Sequence, residues 1–244
     1  MPRSKNYEPG NAKPHPLSRS KLQLFHECPR CFYFDQRRGL RRPSGPPFTL
    51  NDAVDRLLKR EFDSYRTSGT PHPLLTAQGI AAVPFLHPEL DNWRNFRRGL
   101  RVVHPETNFE VYGALDDVWQ ESGTGRLIVA DYKATAKTSE VGIDSEWQIS
   151  YKRQVELYQW LLRGAGFDVC DTAWFVYANG DSTAPSFGAK LEFRMTLIPY
   201  VGGTAWVPPA LVAAKSALDA PQPPRGTANC PFCGYYQKRT LIEV

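Results

Sequence analysis

The sequence contains no apolar run of about 18 residues, the minimum that a membrane-spanning helix requires. Residues 1–7 also lack the apolar stretch of a secretory signal, so we expect a cytoplasmic protein with no membrane association. Only five cysteines occur among the 244 residues. Because cytoplasmic thiols stay reduced, we interpret paired cysteines as metal ligands or redox sites in preference to disulfides.

The excess of positive charge is small. The formal net charge is +5, which is compatible with a polyanionic partner but does not require one. Apolar residues make up 41% of the chain, enough for a sizeable core in one large domain or two small ones.

The order of the predicted elements favours a single α/β domain. Residues 1–16 contain four prolines and are expected to form a flexible tail, which leaves residues 17–244 for the domain. Alternating side chains predict strands over Phe109–Trp119 and Arg126–Lys133, joined by a hairpin turn. Helical spacing predicts a helix over residues 145–164.

A carboxylate and an ammonium lie two residues apart at the end of the second predicted strand. Because side chains alternate along a strand, Asp131 and Lys133 project from the same face, and the hairpin places Asp116 near them. Two converging carboxylates repel each other unless a cation lies between them, and Mg²⁺ favours such oxygen sites. The pattern predicts metal-assisted hydrolysis of a phosphodiester, with Lys133 orienting water or neutralising charge. The alternative is an ordinary solvated strand edge, since Asp-x-Lys is common by chance.

The predicted helix that follows carries a second polar pair. Gln154 and Tyr158 are four residues apart and share one helix face, where they suit contact with a phosphate backbone or with metal-bound water. The alternative places Tyr158 in the apolar core stripe of the same helix.

Together these motifs resemble a known family. The ordered series Gly113-x-x-Asp116, Asp131-x-Lys133 and Gln154-x-x-x-Tyr158 is similar to the PD-(D/E)xK nuclease superfamily, in particular to its RecB-like branch, which includes the CRISPR-associated exonucleases and the AddB nuclease domain. The segment from Leu17 to Tyr33 also resembles that branch.

The resemblance implies a restriction-endonuclease-like core, in which a mixed β-sheet is flanked by helices. It implies a DNA nuclease, expected to be an exonuclease, that depends on Mg²⁺ or Mn²⁺. Asp116 and Asp131 would bind the metal and Lys133 would assist catalysis. Gln154 and Tyr158 would lie beside the site and the DNA.

One departure from the family concerns an early helix. RecB-like nucleases usually carry a histidine there that faces the metal, but the helix predicted over Phe48–Tyr65 has none. Asp55 lies near the expected position and is either a substitute ligand or a solvated carboxylate.

Two Cys-x-x-Cys pairs lie near the two ends of the chain. Cys28 and Cys31 form the first pair, and Cys230 and Cys233 form the second. Two such pairs are a strong metal signal, and a metal that joins them would close a loop of about 200 residues, stabilising the fold. The alternatives are two unrelated pairs or a redox dithiol.

Two candidates remain for the identity of that metal. Four thiolates suit tetrahedral Zn²⁺. The related nucleases often hold a 4Fe–4S cluster with one early and three late cysteines, whereas the distribution here is two and two. The resemblance favours the 4Fe–4S cluster, with zinc as the alternative.

Two other functions compete with cleavage. The missing histidine favours a nucleic-acid-binding protein that keeps the fold without cutting. The other is a zinc-ribbon interaction protein, in which Asp131 and Lys133 belong to an ordinary strand edge.

Overall fold

The computed structural model describes residues 6–242. Eight α-helices and eight β-strands occur in that range. The helices are α1 (Arg19–Glu27), α2 (Pro29–Arg38), α3 (Thr49–Ser68), α4 (Pro73–Ala77), α5 (Leu90–Arg94), α6 (Ile149–Gly164), α7 (Val207–Asp219) and α8 (Pro231–Ile242). The strands are β1 (His15–Ser18), β2 (Ala82–Pro84), β3 (Leu100–His104), β4 (Phe109–Gly113), β5 (Asp117–Glu121), β6 (Leu127–Thr135), β7 (Thr172–Gly180) and β8 (Phe193–Val201). None of the helices in the described range is long and apolar enough to cross a membrane.

The described chain groups into two compact units. The first comprises residues 6–46, 102–112 and 205–242, and the second comprises residues 47–101 and 113–204. The single domain expected over residues 17–244 stays a prediction, as does the cytoplasmic location.

The second unit is built on a mixed five-stranded sheet in the order β2-β5-β6-β7-β8. Strands β5 and β6 pair antiparallel, whereas β6 and β7 are parallel. A parallel pair needs a long crossover, and α6 lies in that connection. Asp117 pairs with Ala130, so the residue before Asp117 stands beside the residue after Ala130. The register therefore brings Asp116 next to Asp131.

Strand β6 is central because its sequence is apolar on both faces. All residues from Leu127 to Tyr132 are buried, as expected of a strand covered on two sides. On one side α3 contributes Phe62, whose ring stacks 5.7 Å from that of Trp119 on β5. This core covers β6 as far as Tyr132, and the side chains from Lys133 onward are only partly buried.

The first unit contains most of a three-stranded sheet in the order β1-β4-β3, together with α1, α2, α7 and α8. Its core includes Leu17, Phe32 and Phe109, all fully buried. Helix α1 is capped by Ser18, whose side chain accepts a hydrogen bond from the backbone N–H of Lys21 at 3.4 Å.

The predicted flexible tail differs from the structure. Residues 1–5 of that segment lie outside the described residues. In the remainder, Tyr7 is buried and donates a hydrogen bond to Asp219 at 2.6 Å. His15–Ser18 form β1 alongside β4. The buried Tyr7 ring and the pairing of β1 with β4 hold this segment in place. Its proline content gave no indication of either contact.

The single strand predicted over Phe109–Trp119 is wrong. The structure has β4 and β5 in two different sheets, separated by a bend at residues 114–116. Gly113 ends β4 where the Tyr158 ring packs closely, since a Cβ added to Gly113 would lie 2.5 Å from Tyr158 Cε1. The bend thus moves the chain between sheets and delivers Asp116 to the start of β5.

Candidate active site and four-cysteine centre

Asp116 and Asp131 converge from neighbouring strands. Asp131 is fully buried on β6, and Asp116 occupies the bend before β5. The Asp116 carboxylate accepts a hydrogen bond from the backbone N–H of Tyr132, the residue after Asp131, at 3.1 Å. The structure therefore brings together two of the residues predicted for the metal site.

Lys133 completes this group. Its ammonium forms a short ion pair with Asp131 Oδ2 and lies 4.3 Å from the centre of the Tyr151 ring. Burial acts to lower the pKa of Lys133, but the attraction of Asp131 and Asp116 outweighs it and the pKa is raised. Lys133 is therefore a firmly charged ammonium beside two carboxylates.

The environment of Asp131 disfavours its negative charge. Burial, together with the nearby Asp116 carboxylate, raises its pKa to about 7, although Lys133 opposes the change. One carboxylate oxygen accepts a hydrogen bond from Gln154 Nε2 at 2.7 Å. The other, Oδ2, has no hydrogen bond of ordinary geometry despite the ion pair with Lys133. An incompletely satisfied buried carboxylate is suited to receive a cation.

Gln154 and Tyr158 lie behind the carboxylates. Both are buried on α6, and Gln154 Nε2 also donates to the Tyr158 hydroxyl at 3.2 Å. The contacts of Gln154 hold Asp131 in place, and those of Tyr158 include the tight packing on Gly113. The DNA contact predicted for these two residues stays a prediction.

Asp55 faces the same region from α3. Its carboxylate accepts a hydrogen bond from Lys59 Nζ at 2.8 Å, and the same ammonium lies 3.4 Å from Asp116 Oδ1. Burial and the charge of Asp116 raise the pKa of Asp55, whereas Lys59 opposes them. In the described residues Asp55 does not join the other two acids in a tight three-ligand cluster.

These groups border a pocket of about 300 Å³. Its lining includes Asp55, Asp116, Lys133 and Tyr151. The pocket gives solvent and a small charged group access to Asp116 and Lys133, whereas Asp131 is fully buried behind them.

One important residue escaped the sequence analysis. Asp117, which follows Asp116, is fully buried. Arg94 donates to its carboxylate at 2.8 Å and Tyr132 at 2.7 Å, and Arg66 adds a short ion pair. This saturated charge anchors the start of β5 and thereby fixes Asp116. In the sequence, the only indication of this role was a pair of adjacent aspartates at the start of a strand.

The four predicted cysteines meet in the first unit. Their sulphur atoms all lie within 4.8 Å of one another. Cys28 and Cys31 stand at the start of α2, and Cys230 and Cys233 stand at the start of α8. The structure therefore confirms a four-thiol centre that joins the N- and C-terminal segments.

The Cys28 thiol is more acidic than an ordinary cysteine. Burial acts to raise its pKa, but hydrogen bonds from the backbone N–H groups of Cys31 and Thr227 and from neighbouring thiols lower it to about 6. Burial and the neighbouring thiols raise the pKa of Cys233. A site with one thiolate already favoured is suited to begin metal capture, because thiolates are the ligands.

The donor chemistry of the two sites differs. Carboxylates with room for water and phosphate fit a hard divalent cation such as Mg²⁺ or Mn²⁺. Four thiols fit a soft or borderline metal.

Comparison with known families defines the class of protein. A family model described as the PD-(D/E)XK nuclease superfamily matches residues 16–237. The match covers most of the chain and all the motifs named above, so the chain belongs to the PD-(D/E)XK nuclease superfamily. Its class of activity is metal-dependent cleavage of nucleic acid. A search of curated proteins returned no match.

Proposed function

We propose that the protein is a divalent-metal-dependent DNA exonuclease in which Asp116 and Asp131 bind the metal and Lys133 assists catalysis. One observation carries the proposal. Two carboxylates from neighbouring strands meet beside a lysine that is ion-paired with one of them, and Asp116 and Lys133 line a pocket of about 300 Å³. Membership of a nuclease superfamily supports the assignment of a nuclease active site to these residues.

The roles follow from the chemistry of each group. A bound Mg²⁺ or Mn²⁺ supplies charge neutralisation at the scissile phosphate and a bound water of lowered pKa. Asp131 and Asp116 would hold it through oxygen atoms that now contact lysines. Lys133 would then direct its ammonium toward the attacking water or the phosphate, where developing negative charge is stabilised. Gln154 would keep Asp131 aligned.

Asp55 lies near the position expected for the family's helix histidine, and Lys59 follows one turn later on the same helix. We propose that Asp55 contributes through water or through Lys59 and not as a direct ligand, because it forms no tight cluster with the other acids. Lys59, which contacts both Asp55 and Asp116, supplies a fixed positive charge at the pocket.

An exposed aromatic side chain supports contact with unpaired DNA. The Trp147 ring packs edge-on 5.3 Å from Tyr151, the ring that also contacts Lys133. About 55% of Trp147 is exposed, and Lys137 Nζ lies 5.4 Å from its ring centre. Exposed aromatic and basic side chains bind single strands by stacking and by phosphate contact.

The test is Asp131→Asn, which removes the charge at nearly constant volume. End-labelled single-stranded and double-stranded DNA are incubated with Mg²⁺, and a closed circular DNA is included. We expect the unsubstituted protein to release short products from linear DNA only. The variant should lose cleavage while keeping DNA affinity and the metal of the cysteine centre.

The matched control is Asp168→Asn, which changes an exposed aspartate of the same unit and should cleave normally. Undiminished cleavage by Asp131→Asn would refute the assignment of the site. Cutting of the circular DNA as fast as the linear DNA would refute exonuclease action alone.

A second candidate function is DNA binding without cleavage. The lysines that already neutralise the carboxylates, and the absence of the helix histidine, favour it. It predicts salt-sensitive DNA binding that Mg²⁺ and Asp131→Asn leave unchanged, with no cleavage by the unsubstituted protein.

A further inference from the structure

The spacing of the four sulphur atoms carries information on the metal they bind. Cys28 Sγ lies 3.7 Å from Cys233 Sγ. Cys31 Sγ lies 3.6 Å from Cys230 Sγ and 3.8 Å from Cys233 Sγ. Every pair is within 4.8 Å, so the four donors surround a space of atomic size.

These separations match a single tetrahedral ion. With Zn–S bonds of about 2.3 Å, a tetrahedron of thiolates around Zn²⁺ has sulphur–sulphur edges of about 3.8 Å. The three separations given above differ from that value by 0.2 Å or less. Two Cys-x-x-Cys pairs are also a usual ligand arrangement of structural zinc.

The same separations do not fit a 4Fe–4S cluster. Each thiolate of such a cluster binds a different iron, so the four thiolates stand outside a cube of irons and sulfides and cannot approach one another to contact distance. To admit it, all four sulphur atoms would have to move apart. Cys28 and Cys230 are buried, and Cys233 Sγ lies only 2.9 Å from where a Cβ on Gly226 would be.

The surroundings also suit a compact, negatively charged centre. One Zn²⁺ with four thiolates carries two net negative charges. Arg42 donates to Cys230 Sγ at 3.5 Å, and its guanidinium is held by Glu27 at 2.6 Å and by the Phe232 ring at 4.7 Å. Fixed hydrogen-bond donors around metal ligands orient them and tune the site.

We infer that Cys28, Cys31, Cys230 and Cys233 bind one structural Zn²⁺ ion and not the 4Fe–4S cluster that the family resemblance implies. The ion closes the first unit by tying α2 to α8. The inference does not depend on nuclease activity.

The test uses the full chain, produced in cells supplied with both iron and zinc and purified without oxygen. Zinc, iron and acid-labile sulfide are measured per chain. We expect about one zinc, negligible iron and sulfide, and no absorption near ~400 nm. About four irons and four sulfides per chain, with a brown colour, would overturn the inference.

Reconstitution gives a second readout that needs no variant to fold. The metal-depleted chain is offered Co²⁺, or iron with sulfide, and passed through a sizing column. One retained Co²⁺ with the visible spectrum of a tetrahedral tetrathiolate is expected, and retention of a stable iron–sulfur chromophore instead contradicts the proposal.

Variants locate the ligands. Cys233→Ser should lower the zinc retained at equal chelator concentration at least tenfold. Cys170→Ser, which changes the cysteine outside the cluster, should retain one zinc. Unchanged zinc in Cys233→Ser would also overturn the inference. Because DNA cleavage is not measured, failure here leaves the proposed function standing.

Discussion

The two candidate metal sites differ in how complete they are before any metal binds. In the cysteine centre the four donors already surround one point, with three sulphur–sulphur separations of 3.6–3.8 Å and every pair within 4.8 Å. In the carboxylate site Asp131 is paired with Lys133, and Asp116 lies near Lys59. The first arrangement suits permanent binding. The second keeps its carboxylates close to lysines, which suits the proposed cation if it enters and leaves with the substrate.

The difference also appears in the distance along the chain that each site spans. Cys31 and Cys230 are separated by 199 positions, so their connection restricts a very long loop and stabilises the fold through the unfolded state. Asp116 and Asp131 belong to one hairpin, whose closure costs little. The cysteine centre is therefore expected to affect stability, and the carboxylate site chiefly activity.

Lys133→Met is expected to have the largest effect. It removes the ammonium at similar side-chain length, so charge stabilisation in the transition state is lost while both carboxylates remain. We expect single-turnover cleavage to fall about 10²–10³-fold, with Mn²⁺ binding kept or strengthened because the competing cation is gone.

The measurement for Lys133→Met is rapid-quench cleavage with excess protein, alongside Mn²⁺ titration by calorimetry. Lys190→Met, at an exposed lysine, is the control and should cleave normally. A loss of Mn²⁺ binding together with cleavage would show that Lys133 holds the fold of the site and does not act in catalysis.

Arg42→Gln tests the other side of the comparison. The variant removes the donor to Cys230 and the ion pair with Glu27. Loss of such an outer partner typically weakens metal affinity 10–100-fold. Competition with a chelator of known zinc affinity measures the change, and Arg38→Gln, an exposed arginine at the end of α2, should show none. Equal affinities for the two variants would remove Arg42 from the centre.

Gln154→Leu breaks the support behind Asp131. The carboxylate loses the hydrogen bond at 2.7 Å that favours its charged form, so we expect Mn²⁺ affinity to fall about tenfold. Gln159→Leu is the matched control, because Gln159 is fully buried on the same helix but donates to the carbonyls of Cys170 and Asp171. Equal loss in both variants would point to general destabilisation.

Sequence patterns predicted that Asp116 and Asp131 lie side by side, because the relevant geometry is local. Alternation along β6 and the hairpin to β5 place Asp116 and Asp131 together without any long-range information. The bend at 114–116 was missed, because fully buried Leu115 continues the apolar alternation across a break between two sheets.

Other features depend on contacts that no local pattern records. Asp117 is neutralised by Arg66 and Arg94, which lie 51 and 23 positions away. Helix α8 has no buried residue in its described part, so it lacks the periodic apolar face by which a helix is recognised. The cysteine centre was predictable because its residue types are rare and paired, although their spacing in the chain does not fix the distances between sulphur atoms.

The last prediction separates the sites by pH. Burial raises the pKa of Asp131 from 3.8 to about 7, so between these values the folded state holds a proton that the unfolded chain has released. The stability contributed by protonated Asp131 is full below about pH 4, declines as pH rises toward 7, and is constant above it. A divalent cation replaces the proton, so added Mg²⁺ should stabilise the protein more at pH 8 than at pH 5.

Urea unfolding at pH 5 and pH 8, with EDTA and with excess Mg²⁺, measures this effect on the background of all other titrating groups. The comparison is therefore made against Asp131→Asn, which cannot titrate at this position. We expect the unsubstituted protein to lose more stability than the variant between pH 5 and pH 8 in EDTA, and Mg²⁺ to abolish that excess. Parallel curves for the two proteins would mean that Asp131 is ionised throughout, and that the lysines alone already provide the positive charge assigned to the metal.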